Sequence, residues 1–238
     1  MATAEVEGGA GALAIVVPMV DEAATLPALL VHLAGWRARG CEVVLVDGGS
    51  RDDSVEMARA AGFRVLIAER GRARQMNAGA QACGRALLLF LHADTRLPEA
   101  ADAMVCAALA VQAWGRFDVC IDGRSPLLPV VARMMNWRSR LTGIATGDQA
   151  IFVRRDAFRG VGGYPELPLM EDIALSKRLQ RYGRPACLGE RVITSGRRWE
   201  KHGVWRTILL MWRLRASYFL GADPQRLALR YGYRPPRR

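Results

Sequence analysis

No segment of this chain strings together the roughly 18 apolar residues that a membrane-spanning helix needs; its richest late run, Thr207-Ile-Leu-Leu-Met-Trp212, is far too short. The five cysteines (Cys41, Cys83, Cys106, Cys120, Cys187) form no CxxC pair and are odd in number. That spacing excludes a zinc cluster or a disulfide framework and leaves buried, reduced thiols. The first eleven residues hold acids and no basic region ahead of their apolar stretch, so no secretory signal is expected there. Acidic residues all but vanish from the last quarter. Residues 181–238 carry 14 Lys and Arg against 3 Asp and Glu, while residues 1–180 carry 20 of each, so the whole net charge of +11 sits in the tail. Such a tail faces an anionic partner, either phosphates or a membrane surface. The main body is charge-balanced and lacks interleaved basic and aromatic residues, which argues against nucleic acid. There is no repeat, low-complexity tract or linker.

At 238 residues, 51% hydrophobic and 24% charged, the chain suits one globular domain. Strand and helix patterns alternate through its first hundred residues. Strands are expected at 14–18, 41–46, 64–68 and 86–91. Between them fall helices at 23–36, 52–61 (Asp52 or Asp53 as N-cap) and 75–83. This alternation implies βαβ units, a mostly parallel sheet and right-handed crossovers. Further on, helices are expected at 99–111, 127–141, from Arg155 to a break at Gly162-Gly163, and at 171–182. Strands are expected at 117–121 and 149–153, with one or two more within 186–194.

Three apolar segments end in acids: Asp21-Glu22, Asp47 and Asp94, the last closing the run Ala86-Leu-Leu-Leu-Phe-Leu-His-Ala-Asp94. In an open α/β sheet all three lie on the carboxyl edge, where ligands bind. Any one of them is explained by helix capping, but three in equivalent positions are poorly explained that way. A dinucleotide site would place a glycine-rich turn after the first strand. Here that turn is Pro18-Met-Val-Asp-Glu22, which repels phosphate. The acid-rich edge suits a base, a ribose hydroxyl, or a hard divalent cation that bridges carboxylates to a diphosphate.

Taken in order, Pro18-Met-Val-Asp-Glu22, Val46-Asp-Gly-Gly-Ser50 with Asp52-Asp53, Asn77-Ala-Gly79, His92-Ala-Asp94 and Glu171-Asp172 resemble the motifs of family-2 glycosyltransferases of the GT-A fold. Gly71-Arg-Ala-Arg-Gln-Met-Asn-Ala-Gly79 and the arginine-rich end are similar to the small bacterial branch of radical-SAM/selenodomain-associated transferases. The resemblance spans about residues 13–195, with 196–238 as a basic helical extension of the same domain. It implies a Rossmann-like mixed sheet, a nucleotide-sugar donor and a Mg²⁺ or Mn²⁺ cofactor. By the same resemblance Asp47 meets the base, Glu22 the nucleoside region (with Pro18, Asp21 and Gly48 beside them), and Asp94 the metal on the diphosphate. Asp172 is the catalytic base of an inverting transfer, with Glu171 beside it. The chemistry is coherent: a carboxylate deprotonates the acceptor hydroxyl, which attacks the anomeric carbon opposite the departing nucleotide.

The chain departs from that pattern at His92, where relatives carry an acid, and at Thr95; with Ala93 between its donor residues, His92 either ligates the metal or hydrogen-bonds nearby. Glu171-Asp172 alternatively serve as favourable charge at a helix N-terminus. Arg72, Arg74, Gln75 and Asn77 enter a helix and either hold the diphosphate or form a solvated basic loop. Gly147-Asp148-Gln149 is placed on the acceptor side by the resemblance, with Asp148 alternatively a turn residue. Arg197-Arg198 are expected to close over the diphosphate, and His202 to be an exposed polar histidine, with an extra metal ligand as its alternative role. On a tail helix at 203–221, Trp205, Ile208, Leu209, Trp212, Ala216, Phe219 and Leu220 share one face. Packing on the domain, a homodimer, or an anionic membrane with a lipid-linked acceptor are its three destinations. A short helix at 223–230 and a frayed end at 234–238 follow. The chain thus reads as a cytoplasmic glycosyltransferase, peripheral to the inner membrane face if the tail binds lipid. The competing readings are a non-catalytic nucleotide-sugar-binding protein and a membrane-surface module.

Overall fold

The computed structural model describes residues 10–233; the expectations for the residues before Ala10 and for 234–238 lie outside them. Four parallel strands, β1 (Leu13–Met19), β2 (Glu42–Asp47), β3 (Arg64–Ile67) and β4 (Leu87–Phe90), alternate with α1 (Leu26–Ala38), α2 (Ser54–Ala60) and α3 (Arg72–Ala82). Then come β5 (Thr95–Arg96), α4 (Ala101–Val111), β6 (Trp114–Asp122), α5 (Leu128–Thr142), a 3₁₀ turn (Gly147–Gln149), β7 (Phe152–Arg154) and α6 (Arg155–Gly160). The chain closes with α7 (Glu171–Leu179), β8 (Ala186–Ser195), α8 (Arg197–His202), α9 (Val204–Phe219) and α10 (Pro224–Tyr231).

One eight-stranded sheet runs β3-β2-β1-β4-β7-β6-β8-β5. β7 is antiparallel to both β4 and β6, so the sheet is mixed but mostly parallel. The strands are apolar on both faces because both are covered. Leu13, Ile15, Val17, Leu45, Leu87 and Leu89 join α1, α4 and α5 in one core. Their alternate neighbours Ala14, Val16, Val44, Val46, Leu88 and Phe90 join α3, α6 and α7 in the other. Gly79 explains how close α3 comes to the sheet: a Cβ there would lie 2.4 Å from Val16 Cγ1.

Several boundaries differ from expectation. α3 starts at Arg72 rather than Gln75, which puts Arg72 and Arg74 in its first turn. The expected strand from Gln149 is only Phe152–Arg154, because Gly147–Gln149 forms a capped turn instead. The helix from Glu171 stops at Leu179 and relaxes into a 3₁₀ turn at Gln180–Tyr182. Residues 186–195 form one strand, with a bulge where β6 shifts register at Phe117/Asp118. β5 and α8 have no counterpart among the expected elements. The tail helix α9 packs on the domain, but through Val204, Thr207 and Leu214. Of the apolar stripe with three possible destinations, Ile208 packs against the core, whereas Trp205, Leu209, Trp212 and Phe219 are more than half exposed. A third cluster seats the tail, as Leu214, Leu227 and Ala228 pack against Ile144, Leu169, Met170 and Ile173.

Candidate active site

The carboxyl ends of β1, β2 and β4 converge, as their parallel register requires. After β1 the chain turns through Asp21 with positive φ (54°). This turn is laced to the loop after β2: Ser50 Oγ accepts from Asp21 N at 2.9 Å, Ser54 Oγ from Glu22 N at 2.9 Å, and Asp52 from Ala23 N at 2.9 Å. Asp47 is 2% exposed and spends its carboxylate on its own turn, accepting from the amides of Gly49 and Ser50 and the Ser50 hydroxyl. Gly48 has no room for a side chain, since a Cβ would meet Val20 at 2.8 Å and Gln75 at 2.9 Å. Buried Gln75 pins the ends of β1 and β2 together by donating to Met19 O and Val46 O.

Asp94 follows β4 and is held by the hydroxyls of Thr95 (3.3 Å) and Thr194 (3.4 Å). Its Oδ2 faces Arg197 at 3.8 Å, and the same guanidinium nitrogen lies 3.3 Å from Glu22 Oε2. Arg197 therefore bridges two acids that stand 72 positions apart in the sequence, at an exposed rim.

On the other side, Met170 takes a left-handed conformation (φ 69°) immediately before Glu171 and Asp172. Asp172 Oδ2 accepts from Gly147 N at 2.9 Å, which ties α7 to the Gly147–Gln149 turn. Glu171 is 3% exposed and pairs with Arg72 Nε at 2.8 Å, while its Oε2 has no hydrogen-bond partner among the described residues. Burial raises its carboxyl above the usual range, Arg72 pulls it back down, and neighbouring Asp172 adds to the rise. A cation in the first turn of a helix runs against the helix dipole. Here Glu171 supplies the anion that keeps Arg72 at the start of α3. His92 Nδ1 lies 3.3 Å from Asp148. Burial alone would lower the imidazole, but the Asp148 hydrogen bond and charge outweigh it and the net shift is upward.

Two cavities meet at this point. One of about 240 Å³ is lined by Pro18, Glu22, Ala93 and Asp94. The other, of about 80 Å³, is lined by Asp148, Asp172, Met211, Arg215 and Tyr231. Arg72 and His92 belong to both walls. Larger cavities of about 490 and 600 Å³ lie outside this cleft along α3, so volume alone does not mark the site. Three non-glycine residues with positive φ, Asp21, Ala150 and Met170, lie beside the acids just described. Each costs about 1–3 kcal/mol and persists only where its surroundings fix it.

Some expected residues are not brought to the cleft. Arg74 turns outward to Glu69 and Glu166. Asn77 instead locks the loop after Gly163, exchanging hydrogen bonds of 2.9 Å with the backbone of Tyr164. Gln149 is fully buried; it closes its turn onto Thr146 and donates to Asn136, so it faces the core. Arg198 does not reach the acids, because it donates to Tyr231 O and lies over the Tyr231 ring. His202 is exposed, as expected. Residues that sequence reasoning passed over include Thr194, Arg215 and Tyr231. The only pointer to the last two was the basic charge of the tail.

The donor set for a divalent cation is small. Among the described residues no three His, Cys, Asp or Glu side chains cluster as a metal site. His92 is a poor ligand here: Nδ1 is taken by Asp148, and Nε2 is packed so tightly that a Cβ on Gly147 would lie 2.3 Å away. Asp94 Oδ2 fits as a single protein ligand to a cation that draws its remaining ligands from a bound diphosphate.

A mixed sheet with acids converging from β1, β2 and β4, closed by an acid pair at the start of α7, is the GT-A fold. Solved structures share it. The mannosyltransferase PcManGT of Pyrobaculum calidifontis, in complex with GDP-Man and Mn²⁺, aligns with TM-score 0.63 at 19% identity over 94% of this chain and 66% of its own. Staphylococcus aureus TarS in complex with UDP-GlcNAc aligns with TM-score 0.58 at 17% identity over 77% and 58%. A family model described as glycosyl transferase family 2 matches residues 14–159, more than half of the chain. The chain belongs to that family. It is also 32% identical over 165 residues to the PGL/p-HBAD biosynthesis glycosyltransferases of Mycobacterium tuberculosis and Mycobacterium bovis. It spans 62% of the length of those relatives, and the match takes in 63% of this chain.

Proposed function

We propose that this protein transfers a sugar from a nucleoside diphosphate donor to an acceptor hydroxyl, with inversion at the anomeric carbon. Residues 13–195 are the catalytic core, and the extension that follows completes the acceptor side through Met211, Arg215 and Tyr231. The observation that carries this reading is the meeting of two cavities at Arg72 and His92, with Glu22 and Asp94 in one and Asp172 in the other.

The donor lies along the β1–β4 edge. Asp47 takes a base N–H by exchanging one of the bonds its own turn supplies, and Glu22 meets the ribose. Arg72 and Arg197 face the diphosphate as charge-assisted donors. Asp94 would hold a divalent cation, which would supply positive charge to the leaving diphosphate. Asp172 receives the acceptor proton as the acceptor oxygen bonds to the anomeric carbon and the bond to the diphosphate oxygen breaks. Its Oδ2 is oriented by the Gly147 amide, so the base is fixed before the acceptor arrives. The His92–Asp148 pair separates the two compartments and keeps the Gly147 turn in place.

Purified protein with Mn²⁺ and a panel of UDP- and GDP-sugars tests this. Donor hydrolysis or transfer that vanishes in Asp172→Asn supports the proposal. Saturable donor binding without turnover for any donor would instead favour a non-catalytic sugar-nucleotide binder, for which the His92–Asp148 pair is the supporting observation.

A further inference from the structure

Two helices turn apolar stripes to the outside. On α5, Val130, Met134, Trp137 and Leu141 are each more than half exposed. Their spacing of four, three and four places them on one line along the helix. On α9, Trp205, Leu209 and Trp212 repeat the same spacing, and Ala216 and Phe219 continue it. Half of the six tryptophans in the chain stand on these two stripes. The helices are neighbours, since Arg215 on α9 lies close enough to Arg138 on α5 to help push that guanidinium below its ordinary value, after burial. The start of α9 shares the core of α5, with Val204 in the same cluster as Leu128 and Ala132, while Leu214 further along packs in the third cluster.

Charge decides what fits this face. α5 carries Arg133, Arg138 and Arg140, and α9 carries Arg206, Arg213 and Arg215; neither helix contains a single Asp or Glu. Arg133, Arg206 and Arg213 are exposed beside the stripes. A second copy of the chain would bring arginine against arginine. A neutral apolar partner would leave these cations without counter-charge. Tryptophan and leucine flanked by arginine is the composition of helices that lie in the plane of an anionic lipid surface.

We infer that the α5–α9 face docks on an anionic phospholipid surface, with Trp137, Trp205 and Trp212 at the headgroup level and the arginines paired to lipid phosphates. One consequence rests on the transferase reading above: Met211 and Arg215 of α9 line the Asp172 cavity, so docking brings that cavity to the membrane and favours a lipid-linked acceptor.

Vesicle flotation of the full chain tests the docking without requiring activity. Vesicles of phosphatidylcholine with phosphatidylglycerol should carry the protein, with a blue shift of tryptophan emission, and vesicles of phosphatidylcholine alone should not. Raised salt should weaken the binding. The double variant Arg206→Gln/Arg213→Gln, which touches no core position, should bind the anionic vesicles about tenfold or more weakly. The triple variant Trp137→Ser/Trp205→Ser/Trp212→Ser should lose the blue shift while keeping the far-UV circular dichroism of the parent. The inference fails if the parent stays unbound on anionic vesicles at low salt. It fails equally if both variants float like the parent, or if sedimentation shows a dimer that the tryptophan variant dissolves.

Discussion

The two sides of the cleft are built differently. On the β1–β4 side, each acid stands at the end of a strand whose place is fixed by parallel pairing, such as Met19 against Asp47 in register. Hydrogen bonds there are short-range in space and redundant: Asp47 alone accepts from two amides and a hydroxyl of its own turn. On the Asp172 side no strand aims the carboxylate. Asp172 follows a left-handed Met170, leans on the Gly147 amide, and neighbours an ion pair that reaches back to the start of α3. The first side is architecture; the second is a set of single contacts. Damage should therefore be local and steep on the second side and diffuse on the first.

The largest effect should come from the group with no substitute. Asp172→Asn keeps the shape and the Gly147 contact but removes the carboxylate proposed above as the proton acceptor, so kcat should fall by about 10²–10⁴-fold, measured as initial rate at saturating donor. Next is the Arg72–Glu171 pair. Arg72→Ala leaves Glu171 buried without a counter-charge and should lower unfolding stability by about 2 kcal/mol in a urea titration. This is less than the loss of a wholly buried pair, because Arg72 is 41% exposed. Equal stability in parent and variant would show that the pair does not hold the Asp172 side together.

Gly147→Ala places a methyl carbon 2.3 Å from His92 Nε2. The turn must yield, at about 1–3 kcal/mol of stability, and transfer should slow more than donor binding does. The smallest effect is a pH slope. Because His92 is raised from 6.5 in the folded protein, its contribution is fully present below the unfolded imidazole value and is lost as pH rises through the folded one. Melting temperature should thus decline as pH rises above 6.5 in the parent and stay flatter in Asp148→Asn. An unchanged slope in that variant would detach His92 from Asp148.

The same division explains what could be read from the sequence. Continuous apolar runs ending in acids announce β1, β2 and β4 because both faces of those strands are buried, and the parallel sheet then gathers Glu22, Asp47 and Asp94 without further information. Glu171 and Asp172 were legible as an acid pair opening a helix. The ion pairs across the cleft were not: Arg72 is 99 positions from its partner Glu171, and Arg197 is 175 from its partner Glu22. No local pattern encodes such pairs. β7 was legible as an apolar run, but its antiparallel insertion between β4 and β6 depends on the whole sheet. Asn77 and Gln149 were misplaced for the opposite reason. Polar side chains inside motifs invite a functional reading, yet both serve to close loops, satisfying backbone groups that would otherwise be buried unpaired. The tail stripe could not be placed from the sequence: α9 has apolar residues on two faces, and periodicity cannot say which one meets the core.

The claim that the cleft separates donor holding from proton removal is tested most directly by measuring two quantities on two variants. Titrate UDP and GDP, each with Mn²⁺, into Asp94→Ala and Asp172→Asn by calorimetry, and measure transfer by the same proteins. Asp94→Ala should weaken nucleotide binding about tenfold or more, whereas Asp172→Asn should bind like the parent and transfer almost nothing. Equal loss of nucleotide affinity in both variants, or transfer surviving in Asp172→Asn, would contradict it.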